Sequence, residues 1–592
     1  MEKRVLLAVV LSIGLIFLVN VLFPPVQRSV PPDFDAAADA GTLPATDTAV
    51  GAPDPDAQGL PEQPSGETMA RIDPAQPASG DTIVVRSGLY EYSFSTVGAA
   101  LVRATLTEFS AYGEGDVEGS PVQLVRDGDR FLGYLIAVGG DTVRVDNREF
   151  SPSRREVTLS ESSPRDSLVF TYEFPGSAAR FVLAYHFRHD AYLVDVAGRL
   201  EGLEDRGYAI IAYLGSGLRG NEKNPGEDQG KFAVVTNGQE SGVEILKFGD
   251  LSDGEGLLVP GGPFHWVAVK SKYFLLAAVA PDDGPMFGGA IAQDQPEEHS
   301  VALRTTLPVP AGSGGFKFSV YMGPQDYGRL NVIGEDLQDV NSYGYRWLQP
   351  VSRPLVAIVM PILVWLHVRL SLAYGWVLIL FGILMRVVLF PLYQKSMRAQ
   401  IGQMRVQPIV QDIRERHKDD PQKMQQEMMR VYKEEGVNPL AGCLPMLVPM
   451  PILFTLFFVF QGTIEFRGVP FFWLPDLSLK DPLYIIPLLM GASMFLLQWI
   501  GQRSMTVANS QMKIMMWAMP IFMTFLFANF PSGLNLYYTT SNIASLPQQL
   551  YLARERKAAS LEQQQPPPPA AAVQKTGKPK TRGPRKAGGR KG

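Results

Sequence analysis

Apolar and polar positions fall into distinct regimes along the chain. "MEKRVLLAVVLSIGLIFLVNVLFPP" places Lys3 and Arg4 before an apolar run of roughly 19 residues, enough to cross a ~30 Å hydrocarbon core. No small-x-small cleavage site follows, since "FPPVQRSVPP" comes next, so residues 1–24 read as a retained membrane anchor with a cytoplasmic N-terminus. Residues 25–80 are mostly Pro, Ala, Gly, Asp and Thr. Such a segment cannot bury enough surface to offset its ordering entropy and is expected to be a disordered tether. Strand-like runs then recur in "TIVVRSGLYEYSFST", "DSLVFTYEF", "RFVLAYHFRHDAYLVDVAGRL", "YAIIAYL", "FHWVAVKSKYFLLAAVA" and "GGFKFSVYMG". Residues 81–327 are therefore expected to form an antiparallel β-sandwich of two packed sheets outside the cytoplasm.

The pattern changes to helix after Gly323. Within 328–374, "YRWLQPVSRPLVAIVMPILVWLHVRLSLAYG" has an apolar face broken by Arg353, Pro354, Pro361, His367 and Arg369. It reads as an amphipathic helix in the membrane interface, with Trp347 and Trp365 at headgroup level; a true span is the alternative and would invert everything downstream. Five spans follow at about 375–392, 443–460, 483–500, 514–530 and 534–552. Pro445, Pro449 and Pro451 open the second of these, where a shortened span would thin the bilayer. The expected fold class is a membrane α-helical bundle, an N-terminal anchor plus a five-helix core over 375–552, carrying a soluble all-β sandwich domain.

Charge sets the topology. Residues 394–436 between the first two core spans read as a helical hairpin of the coiled-coil kind, with stripes at Met397, Ile401, Met404 and Ile413 and at Met424, Met428 and Val431. Asp420 and Pro421 start its second helix and Gly436 ends it. Arg405, Arg414, Arg416, Lys418, Lys423, Arg430 and Lys433 place the hairpin in the cytoplasm, whereas the opposite loop "QGTIEFRGVPFFWLPDLSLKD" is nearly balanced. Formal net charge is 54 − 59 = −5, but residues 553–592 end in the basic "KTGKPKTRGPRKAGGRKG". That tail is expected to be disordered and cytoplasmic, suited to RNA, ribosomes or anionic lipid, or serving only to fix topology.

Candidate chemistry is sparse. Cys443 is the sole cysteine, which excludes an intrachain disulfide and a thiolate metal cluster. "GSGLRG" matches a dinucleotide-binding spacing but opens into "NEKNPGEDQG", which supplies no helix N-terminus for phosphates. His186 and His189, three apart on a strand, point to opposite faces and cannot share a metal. The chain lacks HExxH, nucleophile-elbow and phosphate-loop motifs. An enzyme is not expected, and no cofactor or metal.

One position stands out within the spans. Arg386 lies 386 − 375 = 11 residues into "GWVLILFGILMRVVLFPLY", roughly 17 Å deep at 1.5 Å per residue, where a guanidinium costs about 2.5–3.5 kcal/mol on insertion scales. The five core spans contain no Asp or Glu, so ordinary ion pairing is absent. Either Arg386 snorkels or bonds neighbouring carbonyls, or it faces a water-filled recess. Polar lining for a recess is available in Gln498, Asn529, Asn535, Tyr537, Tyr538, Thr539, Thr540, Ser541 and Asn542.

The order of parts, together with "GWVLILFGILMRVVLFPLY", "QEMMRVYKEEGVNPLAGCLPMLVPMPI", "DPLYIIPLLMGASMF" and "FPSGLNLYYTTSN", resembles the YidC family of membrane protein insertases of Gram-negative bacteria. "WVAVKSKYF" and "YMGP" add weaker similarity. The resemblance implies an inner-membrane insertase and chaperone with a periplasmic β domain, in which a groove open to cytoplasm and lipid receives the polar parts of nascent membrane proteins. It implies Arg386 as the groove arginine and Tyr537 and Tyr538 as the tyrosines at the start of the last span; Gln498, Asn535 and Asn542, read from their polarity within the spans, complete the expected groove. Implied partners are nascent membrane proteins, the Sec translocon, the phospholipid bilayer, and ribosomes or targeting factors met by the hairpin and tail. Two positions depart from the family pattern: Gly382 stands where relatives often carry Thr, and Asn529 where they carry an aromatic residue. The competing reading is a small-solute transporter or channel with an extracytoplasmic β domain, although the paired broken helices common in transporters are not evident.

Overall fold

The computed structural model describes residues 80–564, apart from 114–115, 118, 203–205, 249–250, 252–255, 296–299, 342, 345–347, 392–393, 395–405, 407–408, 437–449 and 504–509. The anchor 1–24, nearly all of the tether, Arg405, Cys443 and the tail beyond 564 lie outside the described residues. The chain forms two units, Met1–Tyr374 with Met450–Leu479, and Gly375–Pro449 with Lys480–Gly592.

In the first unit the strand-like runs become a β domain. Strand Arg180–Arg188 shows the governing pattern: Phe181, Leu183, Tyr185 and Phe187 are buried while His186 is exposed, as a period of two requires of a strand with one wet face. Among the described residues the strands make three sheets where two were expected. The nine-stranded sheet runs Gly242–Lys247, Ala233–Gly238, Phe264–Lys270, Phe274–Val279, Phe316–Pro324, Leu193–Glu201, Arg180–Arg188, Arg165–Glu173 and Ser151–Pro152 in spatial order. A six-stranded sheet centres on Ser300–Val309 and Tyr208–Tyr213, and a five-stranded sheet on Tyr90–Ser95. Pairing is antiparallel except where Thr82–Arg86 runs parallel to Glu156–Thr158. All three sheets feed one buried cluster. Two of its tyrosines satisfy their hydroxyls inside: Tyr92 donates to the Met322 carbonyl and Tyr185 to that of Ala99, each at 2.9 Å, so these two rings are buried without orphaned polar atoms.

Two long helices complete this unit. Helix α1, Gln349–Leu370, is long and apolar enough by length and composition to cross a membrane. It buries Ser352, Val356, Val359, Met360, Leu363 and Leu366 on one face and exposes Val351, Ile358, Trp365 and Val368. The segment just before α1 places Gly344 against the Phe458 ring, Met360 within α1 meets the Thr463 hydroxyl at 4.0 Å, and Tyr374 beyond it sets its ring 5.4 Å from that of Phe466. Contacts spread over some thirty residues of this segment, about 33 Å of it helix at 1.5 Å per residue, thus converge on 458–466, the last turns of the apolar helix Met450–Gly462 and the residues just after it.

The loop 463–479 then returns onto the β domain. Arg467 leads it, with its side chain 2% exposed. Nε donates to Glu222 Oε1 at 2.8 Å, and Nη2 donates to the carbonyls of Ser110 at 2.8 Å and Asn221 at 3.3 Å. The rings of Tyr112, Phe274 and Tyr273 lie 4.8, 5.3 and 5.8 Å from the guanidinium carbon. A buried guanidinium is tolerable only when its charge and its donors are both answered, and here a carboxylate, two carbonyls and three ring faces do so.

The second unit holds the other long helices: α2, Tyr374–Val388, whose first residue belongs to the other unit; α3, Pro421–Glu434; α4, Ile485–Arg503; α5, Ser510–Phe527; and α6, Ser532–Gln564. α3 begins as its local chemistry requires, with the Asp420 carboxylate accepting from the Lys423 N–H at 3.1 Å, and the chain leaves it through Gly436 at φ +63°. α6 runs twelve residues past the expected span end at 552 (564 − 552). α4 and α5 cross where a Cβ on Gly491 would stand 1.9 Å from Thr524 Oγ1. Only a glycine allows this approach.

Candidate functional site

The polar residues of α6 divide by what they touch. Asn535 is buried, and its Nδ2 donates to the carbonyls of Phe527 at 2.9 Å and Phe530 at 3.5 Å. It closes the C-terminal end of α5, where carbonyls lack helical partners. Thr539 and Ser545 donate to Asn535 and Asn542 carbonyls of their own helix at 2.7 and 2.6 Å, which makes a hydroxyl inexpensive inside a membrane. Asn542 instead reaches across to α4, donating to Ser493 Oγ at 3.1 Å, and that hydroxyl donates to the Met490 carbonyl at 2.7 Å.

Two tyrosines build the aromatic part. Tyr537 is buried, with its ring 5.7 Å from Phe381 of α2 and 5.1 Å from Tyr538. Tyr538 meets Phe527 edge-on at 5.4 Å. Gly382 brings α2 close: a Cβ there would lie 3.4 Å from the side chain of Thr540 and from the Tyr537 carbonyl.

Arg386 lies one turn beyond Gly382. It is half-buried, with Nε out of solvent, and Gln498 on α4 is also half-buried. The structure thus joins Tyr537 to Tyr538 and Asn542 to α4, places Asn535 at a helix end, and leaves Asn529 exposed in the turn before α6. Ser493 and Gln548 were not among the expected residues. Ser493 belongs to "GASMF", a cluster of small residues that favours close helix packing in membranes; Gln548 is buried late in α6.

On the hairpin, Arg414, Arg416, Lys423, Arg430 and Lys433 are exposed. Arg416 pairs with Asp412 at 2.5 Å and Arg430 with Glu434 at 2.8 Å, each four residues away. Over 409–436 six Lys and Arg face seven Asp and Glu, 6 − 7 = −1, so this portion presents a mosaic of both signs and not a basic face.

The chain combines an apolar helical module that carries one markedly polar helix, α6, with a large β domain, and its relatives place that combination among membrane protein insertases. Residues 365–559 match the 60Kd inner membrane protein family and residues 82–358 the YidC periplasmic domain. The chain is 30% identical over 554 residues to the membrane protein insertase YidC of Chlorobaculum parvum, covering 87% of this chain and 90% of that protein. It is 32% identical over 496 residues to that of Chlorobium phaeovibrioides, covering 79% and 83%. A crystal structure of an active YidC insertase with its first transmembrane domain resolved aligns with 80% of this chain and 93% of that one, at 19% identity and a TM-score of 0.33. The chain belongs to the YidC family of membrane protein insertases.

Proposed function

We propose that this protein inserts nascent membrane proteins through a polar recess lined by α2, α4 and α6, with Arg386 as its electrostatic centre. Family membership supports the insertase activity and an inner-membrane location with a periplasmic β domain. The observation that carries the recess is the polarity of α6, where Asn535, Thr539, Thr540, Asn542, Ser545 and Gln548 follow one another in a helix whose Asn542 bonds across to α4. Intramembrane polarity of this density marks a path for something hydrophilic.

On the topology read from charge, α2, α4 and α6 all run from periplasm to cytoplasm. The Gly382–Thr540 and Ser493–Asn542 contacts then fall at nearly one depth. Arg386, Gln498 and Gln548 follow four, five and six residues further along their helices, between one and two turns deeper toward the cytoplasm. The recess would open on that side, receive an acidic tail or loop, and leave the apolar segment to partition into lipid. Contacts with the Sec translocon, and with ribosomes through the hairpin and tail, belong to this proposal.

The test is insertion of single-span substrates with acidic or neutral translocated tails, scored by protease protection at matched protein level. Arg386→Ala should slow the acidic tails, Arg386→Lys should retain part of the activity, and Arg386→Glu should be worst through repulsion. Equal rates for acidic and neutral tails in Arg386→Ala, both matching the parent, would sink the groove-charge reading.

A further inference from the structure

The loop 463–479 does more than clamp the β domain. Its apolar residues are not uniformly buried: Phe466, Phe471, Leu474 and Leu477 are inside, whereas Phe472 is 74% and Trp473 39% exposed. The exposure is built into the backbone. Phe471 and Leu474 exchange N–H to carbonyl hydrogen bonds at 2.9 Å in both directions, and the Leu477 N–H donates to the Val469 carbonyl at 3.0 Å beneath them. Phe472 at the turn has φ +51°, a left-handed conformation that is strained for a bulky residue. The base is held by Arg467 in its seat and by the Asp476 carboxylate, which accepts from the Ser478 N–H at 2.7 Å. Of the three charges of the loop, Arg467 and Asp476 are buried and Glu465 is half-buried with Oε2 out of solvent, so the tip offers Pro470, Pro475 and two rings.

We infer that the Phe472–Trp473 tip is an interfacial anchor that inserts into the glycerol and headgroup layer of the outer leaflet. The inference rests on the reading that the apolar helix Met450–Gly462 enters the membrane, since the tip follows it by ten residues. Trp and Phe suit that layer because a ring is apolar over its face while the indole N–H reaches a polar partner at the boundary. Size favours lipid over a protein partner. Two aromatic side chains bury about 150–250 Å² each, short of the ~800 Å² per partner of a stable protein interface. The anchor would hold the loop at a fixed depth and, through Arg467, hold the β domain at a fixed height above the bilayer.

The experiment uses the full chain in lipid nanodiscs, in a Cys443→Ser background, with an environment-sensitive fluorophore on Phe472→Cys, on Leu258→Cys of the β domain, which is 64% exposed, or on Val387→Cys of α2, which is 65% exposed. Phe472→Cys should be quenched more by lipids nitroxide-labelled at the headgroup than by aqueous iodide. Leu258→Cys should show the reverse order, and Val387→Cys should respond most to quenchers deep in the acyl chains. A fluorophore on Pro470→Cys should lose its lipid quenching when Phe472→Ser and Trp473→Ser are added. Iodide quenching at Phe472→Cys equal to that at Leu258→Cys, with Val387→Cys still lipid-quenched, overturns the anchor alone. So does protection that arises only when other membrane proteins are added. Loss of lipid quenching at Val387→Cys overturns the membrane reading of the helices, and the anchor with it.

Discussion

Arg467 and Glu222 are 245 residues apart in sequence and 2.8 Å apart in space, and their ion pair fastens the loop that follows an apolar helix to the β domain. With both side chains nearly out of solvent, the pair behaves as a buried one. Its weakness lies in removing one partner alone, which strands a charge.

Arg467→Ala is expected to cost about 3–5 kcal/mol, the range for breaking one side of a buried pair, whereas Glu222→Gln, which keeps an acceptor facing the guanidinium, should cost less. Urea unfolding of the detergent-solubilised chain and protease cleavage within 463–479 would report the two effects. An unchanged midpoint together with unchanged cleavage in Arg467→Ala would mean that the seat contributes nothing.

Stability should also fall with rising pH through a second residue of this loop. Burial, with the Asp326 carboxylate adding repulsion, pushes the Glu465 carboxyl up to about 8 from an ordinary 4.5. A group whose folded value is raised binds more protons in the folded state, so its contribution is full below pH 4.5 and is lost as pH rises through 8. Glu465→Gln should flatten that part of the pH–stability profile and raise stability at pH 8 and above. Parallel profiles for parent and variant between pH 4.5 and 8 would contradict it.

At the crossing of α4 and α5, Gly491→Ala should destabilise by about 1–3 kcal/mol, the usual cost of overpacking, because the new methyl meets Thr524 Oγ1 at 1.9 Å. Thr524→Ala on its own removes a hydroxyl bonded only within its helix, to the Pro520 carbonyl at 2.7 Å. In the double variant the nearest remaining neighbour is the residue-524 Cβ at 3.2 Å, so most of the loss should be recovered. Additive losses in thermal unfolding would show that the clash is not what Gly491 avoids.

Gly382 makes a graded prediction. A methyl there sits 3.4 Å from Thr540 and fits with a small adjustment, so Gly382→Ala should stay within about 1 kcal/mol of the parent, the crowding offset by the helix preference of Ala over Gly. Gly382→Leu has no such room and should part α2 from α6, seen as lost disulfide cross-linking between cysteines placed at Phe381 and Tyr537 in a Cys443→Ser background. Retained cross-linking with Leu at 382 would mean that the helices do not need the glycine.

Much of this protein was legible in its sequence because the relevant physics is local. Alternation exposes one face of Arg180–Arg188, Asp420 and Pro421 start a helix that the chain leaves through Gly436, and the family is written in "GWVLILFGILMRVVLFPLY" and "FPSGLNLYYTTSN". Each depends on residues within a turn or two of one another. Strand Ser300–Val309, by contrast, is almost continuously buried and lacks the alternation that reveals a half-exposed strand. The polar character of α6 was visible, but not that Asn535 closes α5 while Asn542 bonds Ser493, because the neighbour an amide meets is chosen by helix packing. Arg467 read only as one charge in a nearly balanced loop. Its seat is assembled from Ser110, Tyr112, Asn221, Glu222, Tyr273 and Phe274, groups that only a folded β domain brings together, since propensity and periodicity act over a few residues while the desolvation of a charge is answered by whatever surrounds it in space.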